Sequence, residues 1–319
     1  MALPDLVWNS QPVLQSGFQQ TGPLPGARRE RLKRLAMIIG IGVGAGMMVA
    51  VALVRLLENR FIYFPPRYPA GFVPPRRYGL QVEEVWITAV DGIKLNAYFL
   101  PHVASSKVLL WFHGNAENIG FGLEQMKALA TLDLNILELD YRGYGKSEGS
   151  PDEAGVYRDA DAAYRYLADT RHFEPENIIL YGHSLGGAVA IDLASKRNCG
   201  GVIVESSFTS GREMARRMFS IPLLEYVPKS RFDSIKKIRQ VRSPILIIHG
   251  TRDAVVPFAM GETLYHAAPE PKAFFAVEGA GHNDVVAAGG ERYLRELKGF
   301  VSRPSYSSRT ASPLSSGAP

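Results

Sequence analysis

A serine bracketed by glycines, in Gly182-His183-Ser184-Leu185-Gly186, is the group in this chain best suited to nucleophilic chemistry. Gly-x-Ser-x-Gly is the spacing of a sharp strand-to-helix turn that lifts a serine Oγ above a sheet. Glycine is needed there because backbone packs on backbone and a Cβ would clash. The flanks suit the turn. Asn177-Ile178-Ile179-Leu180-Tyr181 reads as a short apolar strand, and Gly187-Ala188-Val189-Ala190-Ile191-Asp192-Leu193-Ala194 as a helix of small residues. The alternative is a turn whose serine only caps the following helix.

A hydroxyl is a poor nucleophile until a base takes its proton. Of the seven histidines, His282 fits that role: Gly279-Ala280-Gly281-His282-Asn283-Asp284 follows the last apolar strand pattern, in the chain order Ser…Asp…His. His183, inside the turn, is expected to point away from the nucleophile, and His249, at a strand end, to be structural. The base needs a carboxylate to fix its tautomer. Asp253 supplies it from a strand-end loop, His249-Gly250-Thr251-Arg252-Asp253; Asp284 lies too close to His282 in sequence for an easy side-on contact. A tetrahedral intermediate needs donors for its oxyanion. The Leu185 N–H is one. Asn115, in His113-Gly114-Asn115-Ala116-Glu117-Asn118, is the other, with a side-chain role for Asn115 or Asn118 left open.

The elements that must hold these residues alternate in type. Val82-Glu83-Glu84-Val85-Trp86-Ile87-Thr88 and Ile93-Lys94-Leu95-Asn96-Ala97-Tyr98-Phe99-Leu100 form a hairpin about the turn signal Asp91-Gly92. Buried strands then alternate with helices: strands at 108–112, 136–139, 178–181, 202–204, 245–248 and 273–277, helices near 121–132 and 152–167. Near-continuous apolar runs joined by helices imply a mostly parallel central sheet with helices on both faces. Residues 206–243 interrupt the alternation. They are long enough for a small cap over the site, and an ordinary packed helix pair is the other reading. Asp140-Tyr141-Arg142-Gly143-Tyr144-Gly145-Lys146-Ser147 lacks the spacing of a phosphate-binding loop and reads as a structural turn bordering the pocket.

Residues 35–54 carry no charge over twenty positions, about 30 Å of helix and enough to span a bilayer core. Arg28-Arg29-Glu30-Arg31-Leu32-Lys33-Arg34 precedes them, and the far side is less basic, so the positive-inside rule puts the N-terminus in the cytoplasm and the body outside it. A cleaved signal peptide is the alternative, although the apolar run exceeds the usual ~7–15 residues of a signal core. Gly40 with Gly44, and Gly42 with Gly46, form GxxxG pairs that would let two such helices dimerise. The whole chain is +5, but residues 1–60 carry +4 and the tail from Arg303 carries +2, leaving −1 for residues 61–302. The body therefore has no basic surplus with which to bind nucleic acid. The single cysteine, Cys199, excludes an internal disulfide, and no Cys/His cluster suggests a metal. The organisation expected is a disordered basic segment at 1–34, a transmembrane helix at 35–54, a catalytic domain at 61–302 with its cap at 206–243, and a disordered tail at 303–319. Residues 61–80, with two Pro-Pro pairs, read as an extended connector.

In combination, Trp111-Phe112-His113-Gly114-Asn115-Ala116, Asp140 to Ser147, Gly182 to Gly187, His249 to Asp253 with Val256-Pro257, and Gly281-His282-Asn283 resemble the α/β-hydrolase superfamily. More narrowly they resemble its membrane-anchored group of bud-emergence-type proteins and protein depalmitoylases. The resemblance covers about residues 60–302. It implies the α/β-hydrolase fold and cofactor-free hydrolysis of an ester or thioester, with a small-molecule or lipid acyl ester as substrate. Where the depalmitoylases have a cysteine-rich N-terminus, this chain has a hydrophobic span. Two other functions use the same fold: a peptidase of the prolyl-aminopeptidase type, which would need an acidic pocket for the substrate amine, and a non-catalytic binding module. Dehalogenase chemistry is disfavoured because the nucleophile position holds Ser184 and not an aspartate.

Overall fold

In a computed structural model, residues 25–68, 72–218 and 226–303 are described. The disorder expected of residues 1–24 and 304–319 falls outside them, as does the centre of the expected cap, residues 219–225. The chain divides into two units, Met1–Ala52 and Leu53–Pro319.

Helix α1 (Pro25–Ile62) is long and apolar enough to cross a membrane. It exceeds residues 35–54 at both ends. Residues 25–34, assigned to an unstructured segment by sequence, are helical. The run from Ala27 to Ala36 holds no proline or glycine, and Arg, Lys, Leu and Glu are good helix formers. At the other end no helix breaker occurs before Pro65-Pro66. Within the second unit, residues 53–62 pack on the body. The buried Glu58 carboxylate accepts hydrogen bonds from the Lys229 N–H (2.6 Å), the Ser230 N–H (3.2 Å) and the Ser230 hydroxyl (3.1 Å). Arg55 Nε donates to the Val227 carbonyl at 3.1 Å.

The body is built on eight strands: β1 (Glu83–Thr88), β2 (Lys94–Leu100), β3 (Val108–Phe112), β4 (Asn135–Leu139), β5 (Ile178–His183), β6 (Gly201–Glu205), β7 (Ile245–Gly250) and β8 (Lys272–Val277). Their order across the sheet is β1-β2-β4-β3-β5-β6-β7-β8. The hairpin β1–β2 joins antiparallel, and every pair from β4 onward is parallel. This is the α/β-hydrolase fold. Side-chain alternation splits each central strand between two cores. Val108, Leu110 and Phe112 of β3, with Ile178 and Leu180 of β5, face α3 (Glu153–Arg165), α4 (Leu185–Ala194) and α7 (Phe258–Ala267). Leu109, Trp111, Ile179 and Tyr181 face α2 (Leu123–Leu129) and α8 (Val285–Val301). Burial on both faces explains the near-continuous apolar strands.

The expected cap segment holds α5 (Gly211–Met218), which has no buried residue, and the single-turn α6 (Ser234–Lys237). Residues 63–68 are not a free connector. Tyr63 is buried, and the Pro66 carbonyl accepts from the Gly145 N–H (3.1 Å) and Asn118 Nδ2 (3.2 Å). The turn after β4 is clamped by the Arg142 guanidinium, which forks between Asp91 at the hairpin tip (2.8 Å) and Asp159 of α3 (2.7 Å). Such bidentate pairs fix geometry as well as contributing energy.

Candidate active site

Sequence order places β4 between β3 and β5, but in space β3 and β5 are neighbours. The chain leaves β3 toward one edge of the sheet and β5 toward the other. A crevice therefore opens outside their carboxyl ends, where ligands bind in open α/β sheets. Ser184 follows β5 and Asn115 follows β3; Asp253 follows β7 and His282 follows β8.

Ser184 sits at φ 53°, ψ −112°, in the left-handed half of backbone space. A non-glycine residue held there costs on the order of 1–3 kcal/mol and persists only when its surroundings over-determine it. They do. The Ser184 N–H donates to the Glu205 carbonyl at 2.8 Å, and Ser207 Oγ donates to the Ser184 carbonyl at 2.8 Å. The glycines allow the approach: a Cβ on Gly182 would run into the Gly186 carbonyl, and one on Gly186 into the Phe112 carbonyl.

The structure brings the three sequence-selected side chains together. His282 Nε2 lies 3.0 Å from Ser184 Oγ, and His282 Nδ1 lies 2.7 Å from Asp253 Oδ2. The Asp253 carboxylate is itself held. Oδ1 accepts from the Val255 N–H (2.9 Å) and the Val256 N–H (2.8 Å), and His249 Nε2 lies 3.4 Å from Oδ2. Burial alone would raise its pKa, but the contacts with His249 and His282 and the backbone donors hold it well below the usual carboxylate range. His249, expected to be structural, also bonds the Val256 carbonyl at 2.9 Å and so braces the loop that carries the acid. Asp284 turns to its own loop and accepts from the Gly281 N–H at 2.6 Å.

His183, expected only to point away from the nucleophile, reaches the backbone of His282. Its Nε2 lies 3.1 Å from the His282 carbonyl, and the two rings are 5.0 Å apart. Its Nδ1 lies 3.5 Å from Glu117 Oε1, while Glu117 Oε2 accepts from the Gly114 N–H at 2.9 Å. Burial would lower the His183 pKa, but the Glu117 carboxylate lifts it to about 9. Burial would likewise raise Glu117, but His183 brings it down to about 2. The imidazolium–carboxylate pair thus ties the loop after β3 to the backbone of the base. Glu117 carried no sequence signal of its own beyond lying two residues after Asn115.

Among the donors, Leu185 opens α4, so its N–H has no helical partner. The Asn115 N–H has no acceptor among the described residues. The contact of Gly186 with the Phe112 carbonyl brings α4 against the end of β3, next to the loop that carries Asn115. The Asn115 side chain is occupied elsewhere. Nδ2 donates to the Ile62 carbonyl (2.6 Å), and Oδ1 accepts from the Phe64 N–H (3.1 Å), the Ala116 N–H (3.1 Å) and the Tyr144 hydroxyl (2.7 Å). Among the described residues no group of three or more His, Cys, Asp or Glu side chains is arranged to hold a metal ion.

Comparison with known proteins agrees with this fold. A family model described as serine aminopeptidase, S33, matches residues 104–236. An uncharacterized protein of Mycobacterium tuberculosis is 35% identical over 247 residues, covering 76% of this chain and 87% of that protein. The alpha/beta hydrolase domain-containing protein 17C of Mus musculus is 39% identical over 221 residues, covering 67% of this chain and 66% of that protein. A solved esterase of Pyrococcus furiosus superposes with a TM-score of 0.63 at 21% identity, covering 74% of this chain and 97% of its own, a likeness of fold. The chain belongs to the α/β-hydrolase superfamily, and membership supports hydrolase activity.

Proposed function

We propose that the protein is a membrane-tethered serine hydrolase that cleaves carboxylic esters or thioesters through Ser184, His282 and Asp253. The observation that carries this reading is the unbroken chain from Ser184 Oγ through His282 to Asp253, at 3.0 Å and 2.7 Å. His282 Nε2 takes the Ser184 proton as Oγ attacks the acyl carbon. The carbonyl oxygen becomes an oxyanion facing the N–H groups of Leu185 and Asn115. Collapse expels the alcohol or thiol, which leaves with the proton from His282. Water then attacks the acyl-enzyme, His282 accepts its proton, and the carboxylic acid departs with Ser184 regenerated. No metal or cofactor is needed for these steps.

The test is labelling of the membrane fraction with a fluorescent fluorophosphonate. Wild type is expected to label and Ser184→Ala not to. A folded, membrane-bound wild type that neither labels nor turns over p-nitrophenyl esters overturns the reading and leaves a binding module on this fold.

The tether is α1, and its basic start supports a cytoplasmic N-terminus with the body on the other side. Protease protection of the body in sealed vesicles tests that orientation. Gly40, Gly42, Gly44 and Gly46 have open space around them, which supports pairing of two such helices. Loss of a crosslinked dimer on Gly→Leu substitution is the expected result.

The matched family model favours a second reading, an aminopeptidase. Residues 206–243 carry a marked excess of Arg and Lys over Asp and Glu, which suits an acyl substrate better than a cationic amine. Faster turnover of aminoacyl amides than of acyl esters would reverse that preference.

A further inference from the structure

We propose that residues 62–66, the strap that runs on from the last residue of α1, are part of the catalytic apparatus: through the Asn115 side chain they hold the oxyanion donor in place. The inference rests on the hydrolase reading above and extends it to a positioning device outside the sheet.

An asparagine amide has two donor hydrogens and two lone pairs. Here Oδ1 takes three hydrogen bonds and Nδ2 gives one, and two of these four go to the strap, at the Phe64 N–H and the Ile62 carbonyl. The side chain is therefore turned from the reaction toward the strap. Its backbone N–H is the group left for the oxyanion. Next in the chain, Ala116 sits at φ 60°. A non-glycine residue in that region relaxes unless its neighbours hold it. The bonds that hold this stretch include those to Asn115 and the Asn118–Pro66, Glu117–Gly114, Glu117–His183 and Tyr141–His113 contacts.

The strap is well fixed. Pro66 is bonded to Gly145, Tyr63 is buried beside Phe232 at 6.3 Å between ring centres, and the buried Tyr144 closes the set through its hydroxyl. The four bonds on Asn115 thus come from the strap, from its own loop and from the turn after β4. None comes from the strands that carry Ser184, Asp253 and His282. Oxyanion stabilisation depends on donor placement within a fraction of an ångström. A misplacement of about 1 Å is worth roughly 10²-fold in rate.

The experiment uses the full-length protein in detergent micelles and compares wild type, Asn115→Ala and Tyr144→Phe. It reads kcat and KM for p-nitrophenyl butyrate, affinity for an acyl trifluoromethyl ketone, and the pH–rate profile. The ketone forms a tetrahedral adduct on the serine and so reports the oxyanion donors directly. Asn115→Ala is expected to lower kcat by roughly 10²-fold with KM within about threefold, and to weaken the ketone by a similar factor. The pH–rate midpoint stays in place because the base and acid are untouched. Tyr144→Phe, which removes one bond of four, gives the same signature at a few-fold magnitude. Unchanged kcat and ketone affinity in both variants, or a fall in kcat with ketone affinity retained, overturns the inference. If Asn115→Ala does not fold, Tyr144→Phe decides by the same criteria. A wild type that neither labels with fluorophosphonate nor turns over ester removes the hydrolase reading itself, whereas an active wild type with unaffected variants removes only the strap.

Discussion

The two sides of the candidate site are built differently. On one side Ser184, Asp253 and His282 stand on loops that leave the parallel strands β5, β7 and β8, and short side-chain bonds link the three. On the other, Asn115 leaves β3, but its side chain is held by residues 62 and 64 and by Tyr144, none of them on a strand. The proton-transfer side takes its rigidity from the sheet. On the proposed reading the oxyanion side takes it largely from peripheral backbone, so the two sides should respond to different perturbations.

The largest separation is expected at the nucleophile. Ser184→Ala should lower kcat by about 10⁶-fold while leaving the thermal midpoint close to wild type, as measured by ester turnover and calorimetry. Relief of the strained φ at position 184 is unavailable to alanine, so a large stabilisation would contradict the account of the turn. Next comes Asp253→Asn. With an amide facing His282 Nδ1 the wrong tautomer is favoured, and kcat should fall by about 10⁴-fold. A loss under tenfold would mean that Asp253 does not orient the base. The Asn115→Ala effect falls below both.

The bridge between the two sides should give a smaller and pH-dependent effect. His183 is lifted from 6.5 to about 9 in the folded protein, so its contribution to stability is fully present below about pH 6.5 and fades as pH rises through about 9. Glu117 is depressed from 4.5 to about 2, so its contribution is present above about pH 4.5 and is lost as pH falls through about 2. His183→Gln should therefore lower the unfolding midpoint at pH 6 and converge on wild type above about pH 9. Parallel curves across that range would exclude a charged pair. A fall in kcat of about tenfold should accompany it, because the His282 backbone loses a donor. The smallest catalytic effect is expected from Glu58→Ala. It strands two backbone N–H groups at Lys229 and Ser230 and should cost about 1–3 kcal/mol of stability, with kcat at 25 °C within about twofold, read by denaturant titration and turnover on one preparation.

What the sequence disclosed follows the same division. The elbow glycines, the apolar strands and the loops bearing Asp253 and His282 are local patterns, legible because steric need and residue type coincide at fixed spacing. Strand order is not local. With β4 between β3 and β5 in sequence, nothing in residue type says that Glu117 and His183 will meet. The strap left even less trace. Its proline pairs suggest extended chain, and it acts through the Ile62 carbonyl and the Phe64 N–H, groups that every residue but proline possesses. The helix limits at 25 and 62 were missed because apolarity marks a membrane-length span, whereas helix continues wherever nothing breaks it.

Gly182 and Gly186 let the elbow close on itself and on the end of β3. They also restrict how this scaffold can diversify. With a carbonyl occupying the space any side chain would take at either position, the residues two places before and after Ser184 are closed to variation. On the hydrolase reading, new substrate preference has to be acquired farther from the nucleophile. Lineages descending from such a chain should change what they cleave long before they change how they cleave it.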